Sequence, residues 1–352
     1  MRGVAARWPS RLRQRAERVL RPGSRAVILL YHRIAVESAD PYHLCVTPPR
    51  FEEHLQALRR IARPVRLADL AAAIRTRSLR DDVVCVTFDD AYADNLEVAR
   101  PLLERHDIPA TVFATTGRAG RDREFWWDEL ERVFLEPRER PASLELEIGA
   151  ARHTWELGAD AVYTPGDVER YAAWYLHDED SPTARHAAFR EAYALVRPLR
   201  AAERIRVLDR LRDWAGLDGA PVRAARRALQ PDEIVELARG GLVDVGAHTV
   251  EHPALPSRAM AEQRDEVAGS KAQLEQWLGR PVTGFAYPYG QYDATSVRAV
   301  REAGYLHACA CGSHAAWRGS DPYLLPRIEV TEMNGDALAE LVCSHLSASL
   351  RG

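Results

Sequence analysis

The sequence predicts an α/β chain in which parallel strands and helices build a barrel, interrupted by a mostly helical insertion. Three observations lead there. Short apolar, β-branched runs recur, and two of them end abruptly in polar groups: Val83-Val84-Cys85-Val86-Thr87-Phe88-Asp89-Asp90 and Val245-Gly246-Ala247-His248-Thr249-Val250-Glu251-His252. From Gln230 onward such runs alternate with helical patterns, which is the alternation a parallel barrel needs. Between Gly117 and Pro231, roughly a hundred residues leave that rhythm. At 352 residues and 46% apolar content the chain can bury a full core, and a net charge of −3 gives no general drive toward nucleic acid.

The elements follow in order. Residues 1–25 carry eight arginines against the single acid Glu17. No apolar segment of a secretion signal follows, so the expectation is a basic arm. It is either solvated or laid on an anionic membrane surface through Trp8, Leu12 and Leu20. Ala26 to Leu30 is the first strand and leads into Tyr31-His32-Arg33. Val83 to Asp90 and Thr111 to Gly117 are further strands. The insertion, 121–229, opens on Phe125-Trp126-Trp127-Asp128-Glu129-Leu130. A hairpin signal follows (Leu144 to Ile148, His153 to Leu157), then helical spacing over Asp167 to Leu176, Thr183 to Val196 and Ala201 to Ala215. Set between two barrel strands, it is placed to cap the rim. Pro231-Asp232-Glu233 starts a helix that Gly240-Gly241 ends, and Ala259 to Leu278 is a long helix closed by Gly279. Val282 to Ala286 reads as a strand, Asp293 to Ala303 as a helix, Tyr305 to Ala310 and Leu324 to Val330 as strands. Barrel residues are thus 26–120 and 230–335, with an amphipathic C-terminal helix over 336–352. No run of about twenty apolar residues is present. The five cysteines (Cys45, Cys85, Cys309, Cys311, Cys343) read as buried free thiols of a reducing compartment, with Cys309 and Cys311 on one face of a strand.

Four residues carry the chemistry: Asp89, Asp90, His248 and His252. Alone, an Asp-Asp pair is commonly a helix cap and a His-x-x-x-His a helix surface. Together they gain force, because each pair closes a strand at the rim where barrels assemble active sites. Two imidazoles and one carboxylate make the three-ligand set of a catalytic zinc site, and the second carboxylate is left to move a proton. A third segment, Phe285-Ala286-Tyr287-Pro288-Tyr289-Gly290, ends a strand in a turn stiffened by proline and glycine.

Thr87-Phe88-Asp89-Asp90, His248-Thr249-Val250-Glu251-His252 and Phe285-Ala286-Tyr287-Pro288-Tyr289-Gly290 resemble the first three motifs of the polysaccharide deacetylase family. That family is also known as the NodB homology domain or carbohydrate esterase family four. Tyr31-His32-Arg33 is similar to the first strand of one bacterial branch, and the resemblance covers about 26–117 and 230–330. It implies a distorted (β/α) barrel holding one divalent metal, usually Zn2+, with Co2+ or Ni2+ as substitutes. Asp90, His248 and His252 would be the ligands, Asp89 the general base toward the attacking water, and a peptide N–H near Tyr289 an oxyanion donor. The substrate it implies is an N-acetyl (or O-acetyl) group on a carbohydrate, such as a surface polysaccharide, a glycolipid or a glycan precursor.

Two departures from the family pattern stand out. Where the family commonly has an arginine against the catalytic aspartate, this chain has Ala286, and Arg327 is the candidate replacement. The family's closing Leu-x-His, source of the general acid, has no counterpart, since Leu341-Val342-Cys343-Ser344-His345 belongs to the C-terminal helix. His32, at the end of the first strand, is the candidate substitute. Trp126, Trp127, Trp155 and Trp174 either stack on sugar faces or, the commoner role, form the core of the insertion. The expectation is a cytoplasmic deacetylase that the basic arm can also bring to a membrane. The alternatives are an amidohydrolase on another C–N substrate and an inactive glycan-binding module, and the oligomeric state is left open.

Overall fold

A computed structural model describes residues 23–346. The basic arm expected over 1–25 lies almost wholly outside them. Seven strands make the barrel: β1 (Arg25–Tyr31), β2 (Val83–Asp90), β3 (Ala110–Ala114), β4 (Val243–Ala247), β5 (Gly284–Ala286), β6 (His307–Cys311) and β7 (Leu325–Glu329). Each pairs in parallel with the next, and β7 and β2 both pair with β1, so the sheet closes on itself. Leu29 faces Val86 on one side and Ile328 on the other, which fixes the closing register. Two short strands flank the ring: Ala316–Trp317 runs antiparallel to β1, and Arg63–Pro64 lies parallel to β2.

The strands are buried along nearly their whole length because both faces are covered. Inside, Ile28, Cys85, Phe113, Ala286, Cys309 and Leu325 fill the lumen. Gly246 is needed there, since a Cβ would stand 2.4 Å from the Phe113 ring. Outside lies α1 (Pro48–Ile61), whereas α2 (Leu67–Arg75) packs Leu67, Leu70 and Ile74 against the lumen side chains; α3 (Arg100–His106) and, beyond the insertion, helices described below lie outside again. The strand and helix signals of the sequence fall in place within a few residues, except that the helical spacing over Asp167 to Leu176 yields a helix only over Pro165–Arg170, where the chain then turns. The Tyr305 to Ala310 run, however, begins its pairing only at His307.

The insertion leaves after β3 and returns before β4. It contains α4 (Trp126–Leu135), an antiparallel hairpin of Ser143–Ile148 with Ala151–Glu156, α5 (Ala184–Val196) and α6 (Ala201–Trp214). It has its own core, in which Trp126, Trp155 and Trp174 are buried, so these three take the structural role. The barrel resumes with α7 (Pro231–Ala238), α8 (Met260–Leu278) and α9 (Ala294–Glu302), and α10 (Gly335–Leu346) packs against α1. Among the described residues no helix is long and apolar enough to cross a membrane. All five cysteines are free; Cys45, Cys85 and Cys309 are buried as expected, but Cys343 is half-buried and Cys311 exposed. Cys309 and Cys311 share the inner face of β6, and only the second reaches the open rim.

Candidate functional site

Asp89 and Asp90 are the last residues of β2. Successive strand side chains normally face opposite ways. Here Asp90 and Ala91 have φ of 72° and 64°, which breaks the alternation, and both carboxylates line one cleft. Ala114 of β3 pairs with Asp90 on one side and Ala247 on the other, and its carbonyl accepts from the N–H of His248 at 2.9 Å. The strand ends therefore deliver Asp90 and His248 to the same rim.

The loop carrying the two histidines is a tight turn rather than a helix. Thr249 and His252 have φ of 65° and 54°, and the Thr249 hydroxyl accepts from the His252 N–H at 3.1 Å. Glu266 on α8 accepts from the N–H groups of Val250 and Glu251, each at 2.9 Å. The N–H of Gly117 donates to the Val250 carbonyl at 2.8 Å, and a Cβ at that glycine would stand 2.5 Å from the same oxygen. Such left-handed residues are uncommon outside glycine and persist where surrounding contacts hold them.

Asp90, His248 and His252 each offer a ligand atom, and these atoms lie within 4.8 Å of one another. His252 Nε2 is 3.5 Å and His248 Nε2 3.9 Å from Asp90 Oδ1. A carbonyl can only accept, so the 2.8 Å bond from His248 Nδ1 to the Ala286 oxygen puts the proton on Nδ1 and leaves Nε2 a lone pair. Burial lowers the pKa of His248 to about 4 and that of His252 well below the usual imidazole range, so both rings are neutral donors near pH 7. Burial, with the carboxylates of Asp89 and Asp128 nearby, pushes Asp90 well above the usual carboxylate range. Asp90 Oδ1 and His252 Nδ1 are buried without a hydrogen-bond partner. A carboxyl pressed against other carboxylates, beside two neutral imidazoles, is a donor set that fits a divalent cation.

Asp89 is held differently. Arg327 of β7 is fully buried and grips it with both terminal nitrogens, NH1 to Oδ1 and NH2 to Oδ2, each at 2.6 Å. Burial opposes ionisation of Asp89, but the guanidinium, followed by His248, outweighs it and holds the pKa below the usual range. Asp89 is thus an oriented carboxylate, 3.7 Å from His248 Nε2. Ala286 is fully buried in the lumen, and the arginine comes from β7 instead of β5.

The cleft has a volume of about 350 Å³, and His32 and Tyr289 line it with Asp89, Asp90, His248 and His252. Tyr289 takes φ of 58° and sets its ring 4.6 Å from that of His252. His345 bonds back to the Leu341 carbonyl of its own helix at 2.8 Å and does not line the cleft. The insertion closes one side with Trp127, Tyr175, Tyr193 and Arg197. Trp127 lies 4.8 Å from the His252 ring and donates to the Tyr92 hydroxyl at 2.7 Å; that hydroxyl donates to Asp128, which Arg226 clamps from its other oxygen. Sequence reasoning singled out Trp127 but missed Tyr42, Tyr175, Tyr193, Arg197 and Glu266. Helical spacing marked the segments that hold several of them, and nothing local showed which side chain would face the rim.

A seven-stranded parallel barrel with this rim is the architecture of a polysaccharide deacetylase domain, and the family model described as polysaccharide deacetylase matches residues 76–140 and 214–308. The chain is similar to that family over those residues, a little under half of its length, which include Asp89, Asp90, His248 and His252. It is 27% identical over 115 residues to YxkH of Bacillus subtilis (strain 168), which is named as a polysaccharide deacetylase; that match spans 32% of this chain and 41% of the relative. In fold it is similar to the Streptococcus pyogenes deacetylase PplD, solved in complex with acetate (TM-score 0.56, 18% identity, 91% of this chain and 99% of that one). It is likewise similar to IcaB from Ammonifex degensii (TM-score 0.55, 18% identity, 91% and 97%).

Proposed function

We propose that the chain is a metal-dependent hydrolase that removes N-acetyl (or O-acetyl) groups from a carbohydrate, a surface polysaccharide or glycan precursor. The observation that carries this reading is the Asp89 carboxylate, gripped by Arg327 beside the Asp90, His248 and His252 cluster in an open cleft. The family match and the likeness to PplD support it.

Asp90, His248 and His252 would hold the ion, Zn2+ or else Co2+ or Ni2+. Its contribution is Lewis acidity, which polarises an acyl carbonyl and brings the pKa of a coordinated water toward ~7. The chain's own groups supply the rest. Asp89, ionised and aimed, accepts a proton from the attacking water. Arg327 keeps that carboxylate in one rotamer and makes it a weaker, better-placed base. The turn at Tyr289 brings a peptide N–H to the rim as oxyanion donor. His32 is the group placed to protonate the departing nitrogen, so that water and an acetamido sugar yield acetate and an amine. We also propose a cytoplasmic location with the arginine-rich segment 1–25 against the membrane, which fractionation with and without that segment tests.

The first experiment is acetate release from N-acetylated chito-oligosaccharides by zinc-reconstituted protein, with Asp89→Asn alongside. Release by the native chain and its loss in the variant is the expected result. Absence of stoichiometric metal in the native chain would overturn the ligand assignment.

A further inference from the structure

Beyond the catalytic cleft, a second hollow of about 580 Å³ continues the groove outward, and the two share His177, Tyr193, Arg197 and Gln291 as lining. The groove therefore runs from the candidate metal cluster along the insertion. Its walls are unequal in charge. Arg190 is committed to the carbonyls of Glu179 and Asp180, at 3.1 and 2.7 Å. Arg204 is buried and committed to the carbonyls of Glu251, Arg197 and Leu199. Arg197 differs from both. Its guanidinium lies 4.2 Å from the Tyr289 ring centroid, and, unlike those two, none of its guanidinium nitrogens has a hydrogen-bond or ion-pair partner among the described residues. Tyr289 in turn touches His252, so a single ring separates this cation from the cluster. Glu329, exposed, stands on the rim of the same cleft.

A half-buried guanidinium that has no acceptor is unfavourable unless an anion completes it. Its planar fork suits a phosphate or carboxylate in particular. Resting on the deacetylase reading, we propose that Arg197 receives an anionic group of the substrate. The substrate class is then an acetamido sugar bearing a phosphate or carboxylate, with the anion on the insertion side and the acetyl group over Asp89. Tyr193 and Gln291 line both hollows with Arg197, where an aromatic face and an amide suit the sugar itself.

The test measures binding by calorimetry on the zinc-reconstituted full chain, with three probes: methyl N-acetylglucosaminide, N-acetylglucosamine 1-phosphate and N-acetylmuramic acid. The native chain is expected to favour at least one anionic probe over the neutral one by about tenfold or more, the usual strength of a charged hydrogen bond. Which probe gains distinguishes phosphate from carboxylate. In Arg197→Met, which keeps the packing on Tyr289, the ratio is expected to fall to near one. Arg197→Lys should retain part of it. An unaltered ratio in Arg197→Met, or no preference in the native chain, would overturn the inference while leaving the deacetylase reading intact. If no acetamido sugar binds and none is hydrolysed, both readings fall together.

Discussion

Asp89 and Asp90 are neighbours in sequence with opposite electrostatic fates. The first is paired with a buried guanidinium and stays ionised; the second has carboxylates and imidazoles against it, with Arg327 only a smaller offset, and calls for a cation. Replacing Asp89 by Asn should therefore lower acetate release by about 10³-fold or more while zinc stoichiometry, read by elemental analysis, is unchanged. Replacing Asp90 or His252 by Ala should remove the metal itself. Arg327→Lys keeps the charge but not the two-pronged grip, and kcat is expected to drop by roughly tenfold or more with little change in KM. A KM effect as large as the kcat effect would mean that Arg327 acts on substrate binding and not through Asp89. The four central residues were legible because strand ends and ligand chemistry leave short-range marks. Arg327 was legible only as a candidate: the pairing joins β2 to β7, 238 positions apart, and nothing near either residue signals it.

The histidine loop shows how much of a site is made by elements that contribute no ligand. Glu266 lies on α8, well past the loop, yet its carboxylate gathers two consecutive N–H groups there. Glu266→Ala is expected to weaken zinc affinity by about 10- to 100-fold, measured by chelator competition, while the secondary-structure content of the chain is retained. Gly117→Ala should act in the same direction, because its methyl would strike the Val250 carbonyl. Neither contact was visible in the sequence. Spacing identified α8 as a helix, but helix position relative to a loop is set by tertiary packing. The insertion makes the same point: its helices and hairpin could be placed by periodicity, whereas the residues it lends to the cleft depend on how the whole unit seats against Tyr92 through Trp127 and Asp128.

At the scale of the molecule, buried imidazoles outside the site tie stability to pH. His186 is enclosed by Tyr163, Tyr171 and Trp174, and His307 lies beneath Gly284; burial lowers each to about 4, despite Asp160 near the first and Asp244 near the second. Arg185 and Arg190 push His186 the same way as burial does. In the unfolded chain both titrate near ~6.5. Between these values the unfolded state binds more protons, so their contribution is full above about 6.5 and is lost as pH falls toward 4. Thermal unfolding of the metal-free chain is expected about 5 °C or more lower at pH 5 than at pH 7. His186→Gln should narrow that gap; a gap of unchanged size would remove His186 as a contributor.

The place where the insertion enters has a consequence for how the chain reaches its native state. β3 and β4 are hydrogen-bonded neighbours, yet the excursion from one to the other is roughly 130 residues long. Closing so long a loop is slow, and contacts of this separation dominate the folding time of a chain. Asp90 is available as soon as β2 forms, whereas His248 and His252 join it only after the excursion has been closed. The candidate ligand set is therefore completed late, and metal supplied during refolding is expected to speed the final step while leaving the earliest collapse untouched.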